Sequence, residues 1–224
     1  EEHMYLIQHD VIYGDPNQGT VWKGLDILLT AEWSHPNGGT LKVDCCAIDT
    51  GGMATNSVYN YCRERKSLNV IGIKGSSRPA QPVIGRGSQV DLNYKGRAIK
   101  GGATVYMVGS DTIKDVLYSR LKFNNKLHFH CETDQEYFKQ LTGEKKVLKK
   151  SGRGTEYVQK RNQKVEALDC AVYAFSALNH LYQRFPRSKI FQMFTDRLLN
   201  SANLAKKQRL NSKKKSKKSY VDNW

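Results

Sequence analysis

The sequence predicts an α/β fold, a sheet flanked by helices, and three observations carry that expectation. Residues 41–52 (LKVDCCAIDTGG) hold a short apolar run, β-branched at its ends, that stops at Gly51-Gly52. Such a run favours a buried strand over a helix. Residues 54–65 then read as a helix, and further short apolar runs alternate with helical periods down the chain. The strand ends on Asp49, and open α/β folds carry their chemistry at the carboxyl ends of strands. Asp49 is therefore the first functional candidate, with capping of the following helix an equal alternative.

The other elements follow in order. Residues 5–13 alternate (Tyr5, Ile7, His9, Val11, Tyr13 against Leu6, Gln8, Asp10, Ile12), which predicts a strand. Residues 21–33 have a helical period, and residues 69–73 a strand period ending at Lys74-Gly75. Residues 75–102 show little periodicity and are too long for an ordinary connection. They carry Arg78, Arg86, Lys95, Arg97 and Lys100 against Asp91 alone. A flexible basic loop beside a carboxylate site suits a phosphate backbone, with a plain surface hairpin as the alternative. Residues 103–108 are a strand, and Ser110 or Asp111 caps a helix to about Leu121. Residues 126–131 are a strand with His128 and His130 on one face; no third ligand has matching spacing, so packing or a phosphate contact is favoured over metal. A helix over 134–141 and strands over 145–150 and 157–160 follow.

Residues 165–178 form an amphipathic helix with Val165, Leu168, Val172 and Phe175 in its stripe. Asp169 lies at the edge of that stripe, with Glu166 three residues before it. A carboxylate placed there costs free energy unless it is paired with a cation or bound to metal. A strand-end aspartate and a helix-borne aspartate on a basic α/β body are the start of a two-metal nuclease site, for which Mg²⁺ or Mn²⁺ takes oxygen ligands.

Charge supports the same partner. The chain of 224 residues has 36 Lys and Arg against 21 Asp and Glu, a net +15. From Arg187 onward there are eleven basic and two acidic residues, which leaves +6 for the body. A basic body with a more basic tail points to a polyanion, and nucleic acid first. The domain reading is a core over 1–185, a helix over 186–204 and a basic, disordered tail over 205–224. Five cysteines without CxxC spacing argue against a disulfide framework or zinc cluster and for reduced thiols. There is no signal-peptide pattern, no run of 18 apolar residues and no GxxxxGK[ST] motif, so neither membrane insertion nor an ATP-driven motor is expected of these residues.

The chain resembles the C-terminal nuclease domain of tailed-phage terminase large subunits of the lambda-like, GpA type. The matching residues are Ile48-Asp49-Thr50-Gly51-Gly52 with Thr55 and Val58-Tyr59, Ile73-Lys74-Gly75, and Val108-Gly109-Ser110-Asp111 with Lys114 and Leu117-Tyr118. His128-Phe129, Tyr137-Phe138, Gln140-Leu141-Thr142 with Glu144, and Glu166-Ala167-Leu168-Asp169-Cys170 with Tyr173-Ala174 complete the match. The resemblance implies a ribonuclease H-like mixed sheet and metal-dependent endonucleolytic cutting of concatemeric double-stranded DNA in the host cell cytoplasm. It implies as partners the terminase small subunit, the capsid portal and the ATPase motor domain of the parent chain. By position, Asp49 and Asp169 correspond to two acidic metal ligands. Glu166 is a further acidic candidate that assists them or pairs with Lys164, and Lys74 is placed to contact phosphate. The resemblance also implies another catalytic aspartate on the first strand of the fold, ahead of residues 5–13, and that strand is expected to be missing here. A resolvase- or transposase-like nuclease and a non-catalytic DNA-binding module are the competing readings.

Overall fold

A computed structural model describes residues 2–36, 38–76, 78, 80–94, 96–123 and 125–218, which fall into two compact units. The first unit comprises the chain up to Trp22 and Cys45–His180. Its centre is a mixed sheet ordered β4-β5-β7-β6: β4 (Cys46–Asp49), β5 (Val70–Gly75) and β7 (Arg97–Val108) run parallel, and β6 (Ile84–Tyr94) runs antiparallel to β7. Parallel neighbours need a crossover, and α2 (Thr55–Glu64) supplies it between β4 and β5.

Helices cover both faces of this sheet. Side chains alternate along β5, so Ile71 and Ile73 face one way and Val70 and Gly72 the other. Ile71 and Ile73 join Val108 in a core with α3 (Ser110–Phe123) and α5 (Glu166–Arg184), through Ile113, Leu117, Leu168 and Val172. On the opposite face α2 buries Val58, Tyr61 and Cys62. The expected sheet flanked by helices is what the chain forms. Smaller pieces complete the unit: β1 (Met4–Tyr5) pairs with β8 (Leu127–His128), α4 (Gln135–Leu141) is capped by Asp134, and β9 (Glu144–Leu148) forms a hairpin with β10 (Thr155–Gln159).

The second unit comprises Lys23–Asp44 and the chain from Leu181. It holds the body of α1 (Gly19–Thr30), a small pair of β2 (Trp33–Ser34) and β3 (Thr40–Leu41), and α6 (Arg187–Lys218). Arg197 pairs with Asp44 at 2.6 Å, and the Ser201 hydroxyl accepts from the Thr40 N–H.

Several expectations change. Of the strand expected over 5–13 only Tyr5 lies in β1, and the Leu6 N–H adds one bond to the His128 carbonyl, because alternation makes a strand only where a neighbour completes the ladder; Ile7, Val11 and Tyr13 are exposed. Most of the expected basic loop over 75–102 is β6 and the start of β7. Two register shifts in the β6–β7 pairing scramble the alternation that would have revealed it. Gly87 is required there, since a Cβ would stand 2.6 Å from Thr104 Cγ2. Trp33 belongs to β2 rather than to the first helix. His128 stacks with the rings of Tyr5 and His3, and its Nε2 lies 2.8 Å from His3 Nδ1. The backbone of α6 stays helical to Lys218, through most of the stretch expected to be a disordered tail, because Lys, Ala, Gln, Arg and Leu are all good helix formers.

Candidate functional site

Asp49 is held at the carboxyl end of β4 by backbone bonds that leave its side chain exposed. The next residue, Thr50, is buried, and its N–H and hydroxyl both donate to the Ile73 carbonyl, at 2.8 and 2.9 Å. Gly72 makes room for it: a Cβ there would stand 3.0 Å from the Thr50 methyl. The Thr55 hydroxyl donates to the Thr50 and Gly52 carbonyls, closing the turn. The Asp49 carboxylate accepts the Gly51 N–H at 3.0 Å. It does not cap α2, whose N-cap is Ala54 without a side-chain bond, so the capping alternative falls. Asp49 also forms part of the wall of a mostly apolar pocket of about 410 Å³, lined by Trp22, Ile48, Met53 and Val58.

Asp169 stands on α5, near enough to Asp49 for their charges to interact. Ala167, Leu168 and Val172 are buried without exposure and fix the helix against the core, which leaves Asp169 half-buried in its first turn. Glu166 shares that turn, where the helix dipole favours anions. Burial pushes the Asp169 carboxyl above the ordinary range; Lys114 pulls it down, while Glu144, Glu166 and Asp49 push it further up. The phenol of Tyr173 is likewise raised, by burial first and then by Asp49, Asp169, Cys170 and Glu166. Two separate groups thus feel the charges of Asp49 and Glu166, so the structure brings Asp49, Glu166 and Asp169 into one electrostatic cluster.

Two members of the cluster escaped the sequence-based choice of site residues. Lys114 donates to Glu144 Oε2 at 2.7 Å, and both side chains are about nine-tenths buried. No spacing links residue 114 to residue 144. The available signal was that Lys114 stands one turn before the buried Leu117 and that both Lys114 and Glu144 are among the residues carrying the family resemblance. The proposed pairing of Glu166 with Lys164 is not formed among the described residues; Lys114 is the local cation instead.

Four carboxylates against one ammonium leave a surplus of negative charge. Their donor chemistry fits a hard divalent cation such as Mg²⁺, which is commonly held by one or two carboxylates with water and phosphate oxygens filling the remaining positions. Among the described residues no three His, Cys, Asp or Glu side chains converge as a ready-made cage. Asp49 and Asp169 each carry carboxylate oxygens of the kind such a cation takes.

Residues 1–189 match the family described as terminase large subunit gpA, endonuclease domain. The chain belongs to that family. It is 28% identical over 199 residues to the terminase large subunit of Enterobacteria phage P21, covering 82% of this chain and 29% of that protein. It is 27% identical over 189 residues to the terminase large subunit of Escherichia phage lambda, covering 79% and 28%. The chain thus spans less than a third of the length of these relatives. No solved structure matches it.

On this terminase endonuclease domain the basic residues expected to meet DNA separate into two groups. Asp49, Ile73, Tyr106 and Gly87 lie in one row across the four strands. Lys74 therefore follows the residue paired with Asp49, and Arg86 is one residue off the row, about 14 Å away at ordinary strand spacing. Both are exposed, as is Arg78 in the segment after β5. Arg97 begins β7, about 35 Å along that strand from its carboxyl end, so it does not join the carboxylates. Lys95 lies outside the described residues.

Proposed function

We propose that this chain is a metal-dependent endonuclease that hydrolyses phosphodiesters of double-stranded, concatemeric viral DNA, on a ribonuclease H-like scaffold. The observation that supports it best is the meeting of Asp49, from a strand end, with Asp169 and Glu166, from a helix start, in a basic chain of the terminase endonuclease family. Asp49 and Asp169 hold Mg²⁺ or Mn²⁺, with Glu166 beside them. When bound, a pair of such ions supplies water activation and stabilisation of the leaving oxygen. Lys114 holds Asp169 toward its ionised form against the neighbouring carboxylates, and its bond to Glu144 fixes α3 to β9. Lys74 and Arg86, on the sheet at the level of Asp49, bind the phosphate backbone and set the strand to be cut against the carboxylates.

In the intact large subunit this activity works beside an ATPase motor, the small subunit and the capsid portal, in the host cytoplasm. No helix among the described residues is long and apolar enough to cross a membrane. The test is cleavage of supercoiled plasmid by this chain with Mn²⁺, Mg²⁺ or EDTA. Metal-dependent nicking that EDTA stops is the expected result. Duplex binding without cutting in any metal would favour the non-catalytic DNA-binding module instead.

A further inference from the structure

The hairpin of β9 and β10 carries charge that the nuclease site does not use. Residues 145–164 contain eight Lys and Arg against one acid, Glu156. Two of the eight are engaged: Lys146 bonds both Asp115 oxygens, at 2.6 and 2.8 Å, and Lys160 donates to the Thr142 carbonyl. The other six, Lys145, Lys149, Lys150, Arg153, Arg161 and Lys164, have no acidic partner among the described residues. All but Lys149 are exposed.

The hairpin is tied to the acidic cluster through Glu144 and closes on itself just before α5. Its first residue, Glu144, holds Lys114. At its far end the Lys160 N–H donates to the Gly143 carbonyl at 2.8 Å, and the Lys164 carbonyl packs so close to Gly143 that a Cβ there would stand 2.6 Å from it. Two residues later α5 begins, with Glu166 and Asp169 in its first turn. Lys146 and Tyr157, a cross-strand pair, bond Asp115 and so face α3; Lys145 and Val158, the next pair, are exposed on the opposite face. A five-residue strand extends about 17 Å, and B-DNA presents about ten phosphates over that length.

We infer that the β9–β10 hairpin is a second DNA-backbone contact, separate from Lys74 and Arg86, that holds duplex DNA across the acidic cluster. Its partner is the phosphate backbone of double-stranded DNA, chosen by charge complementarity and by continuity with the carboxylates; Lys and Arg without acidic partners on a short hairpin give contact without sequence readout. The inference rests on the proposed action on DNA but not on cutting.

The experiment is fluorescence anisotropy of a 30-base-pair duplex in EDTA, over a range of KCl, with the whole chain and its K145Q/K149Q/K150Q/R153Q variant. Each lost phosphate contact removes about 0.9 from the log–log salt slope, so the slope should become shallower by about 3 to 4 and affinity should fall more than tenfold. A variant in which the three lysines become arginine should keep the wild-type slope. An unchanged slope in the glutamine variant overturns the inference, even if the wild-type chain cuts DNA. Wild-type binding that the variant loses, without any metal-dependent cutting, upholds the hairpin contact and removes the nuclease reading. No duplex binding by the wild type overturns both. Should the fourfold variant fail to fold, K150Q/R153Q at the turn is expected to lower the slope by about 2, and an unaltered slope there is equally decisive.

Discussion

Asp49 and Asp169 lie within reach of each other's charge but are positioned by opposite means. Asp49 is exposed and positioned by backbone: Thr50 bonds the neighbouring strand twice, Thr55 closes the turn, and the Gly51 N–H meets the carboxylate. Asp169 is half-buried and set among charges, with Lys114 offsetting Glu144, Glu166 and Asp49. The difference teaches where each half of the site is vulnerable. The Asp49 side depends on local hydrogen bonds, whereas the Asp169 side depends on one buried ammonium.

The largest effect should come from removing that ammonium. K114M leaves Glu144 buried without its cation, which costs about 3 kcal/mol or more. Thermal unfolding should register this as a large drop, and K114M/E144Q should recover part of it. A K114M protein as stable as wild type would show that the Asp169 side is not held by charge.

A smaller and opposite effect separates the two aspartates directly. The raised proton affinity of Asp169 means that the folded chain binds more protons than the unfolded chain at pH values just above the ordinary carboxylate range, about 4. Stability therefore falls as pH rises through that window, and the loss is complete above the folded-state value. D169N removes the loss and should unfold about 2 °C higher at neutral pH. D49N, at an exposed position, should leave the unfolding temperature unchanged. Equal shifts for the two substitutions would erase the distinction.

The Asp49 side was legible in the sequence because its determinants are contiguous. An apolar run, an aspartate, Thr50 and two glycines read as a strand end and a turn, and the structure adds only that Thr50 rather than Asp49 fastens the corner. Asp169 was legible as an acid beside a buried stripe, but its counter-ion was not, since Lys114 and Glu144 come from different elements. The β6–β7 pair was hidden for a different reason: glycines and register shifts break the alternation by which strands are recognised. Residues 7–13 show the reverse, a clean alternation that forms no strand. Pattern reports what a segment could pair with, and tertiary structure decides whether it does.

The central claim is that Asp49 and Asp169 share a divalent cation, and Mn²⁺ binding followed by electron paramagnetic resonance tests it most directly. Wild-type chain should remove Mn²⁺ signal from solution, and D49A and D169A should each bind at least tenfold more weakly. Mn²⁺ binding by both variants at wild-type affinity would contradict the account.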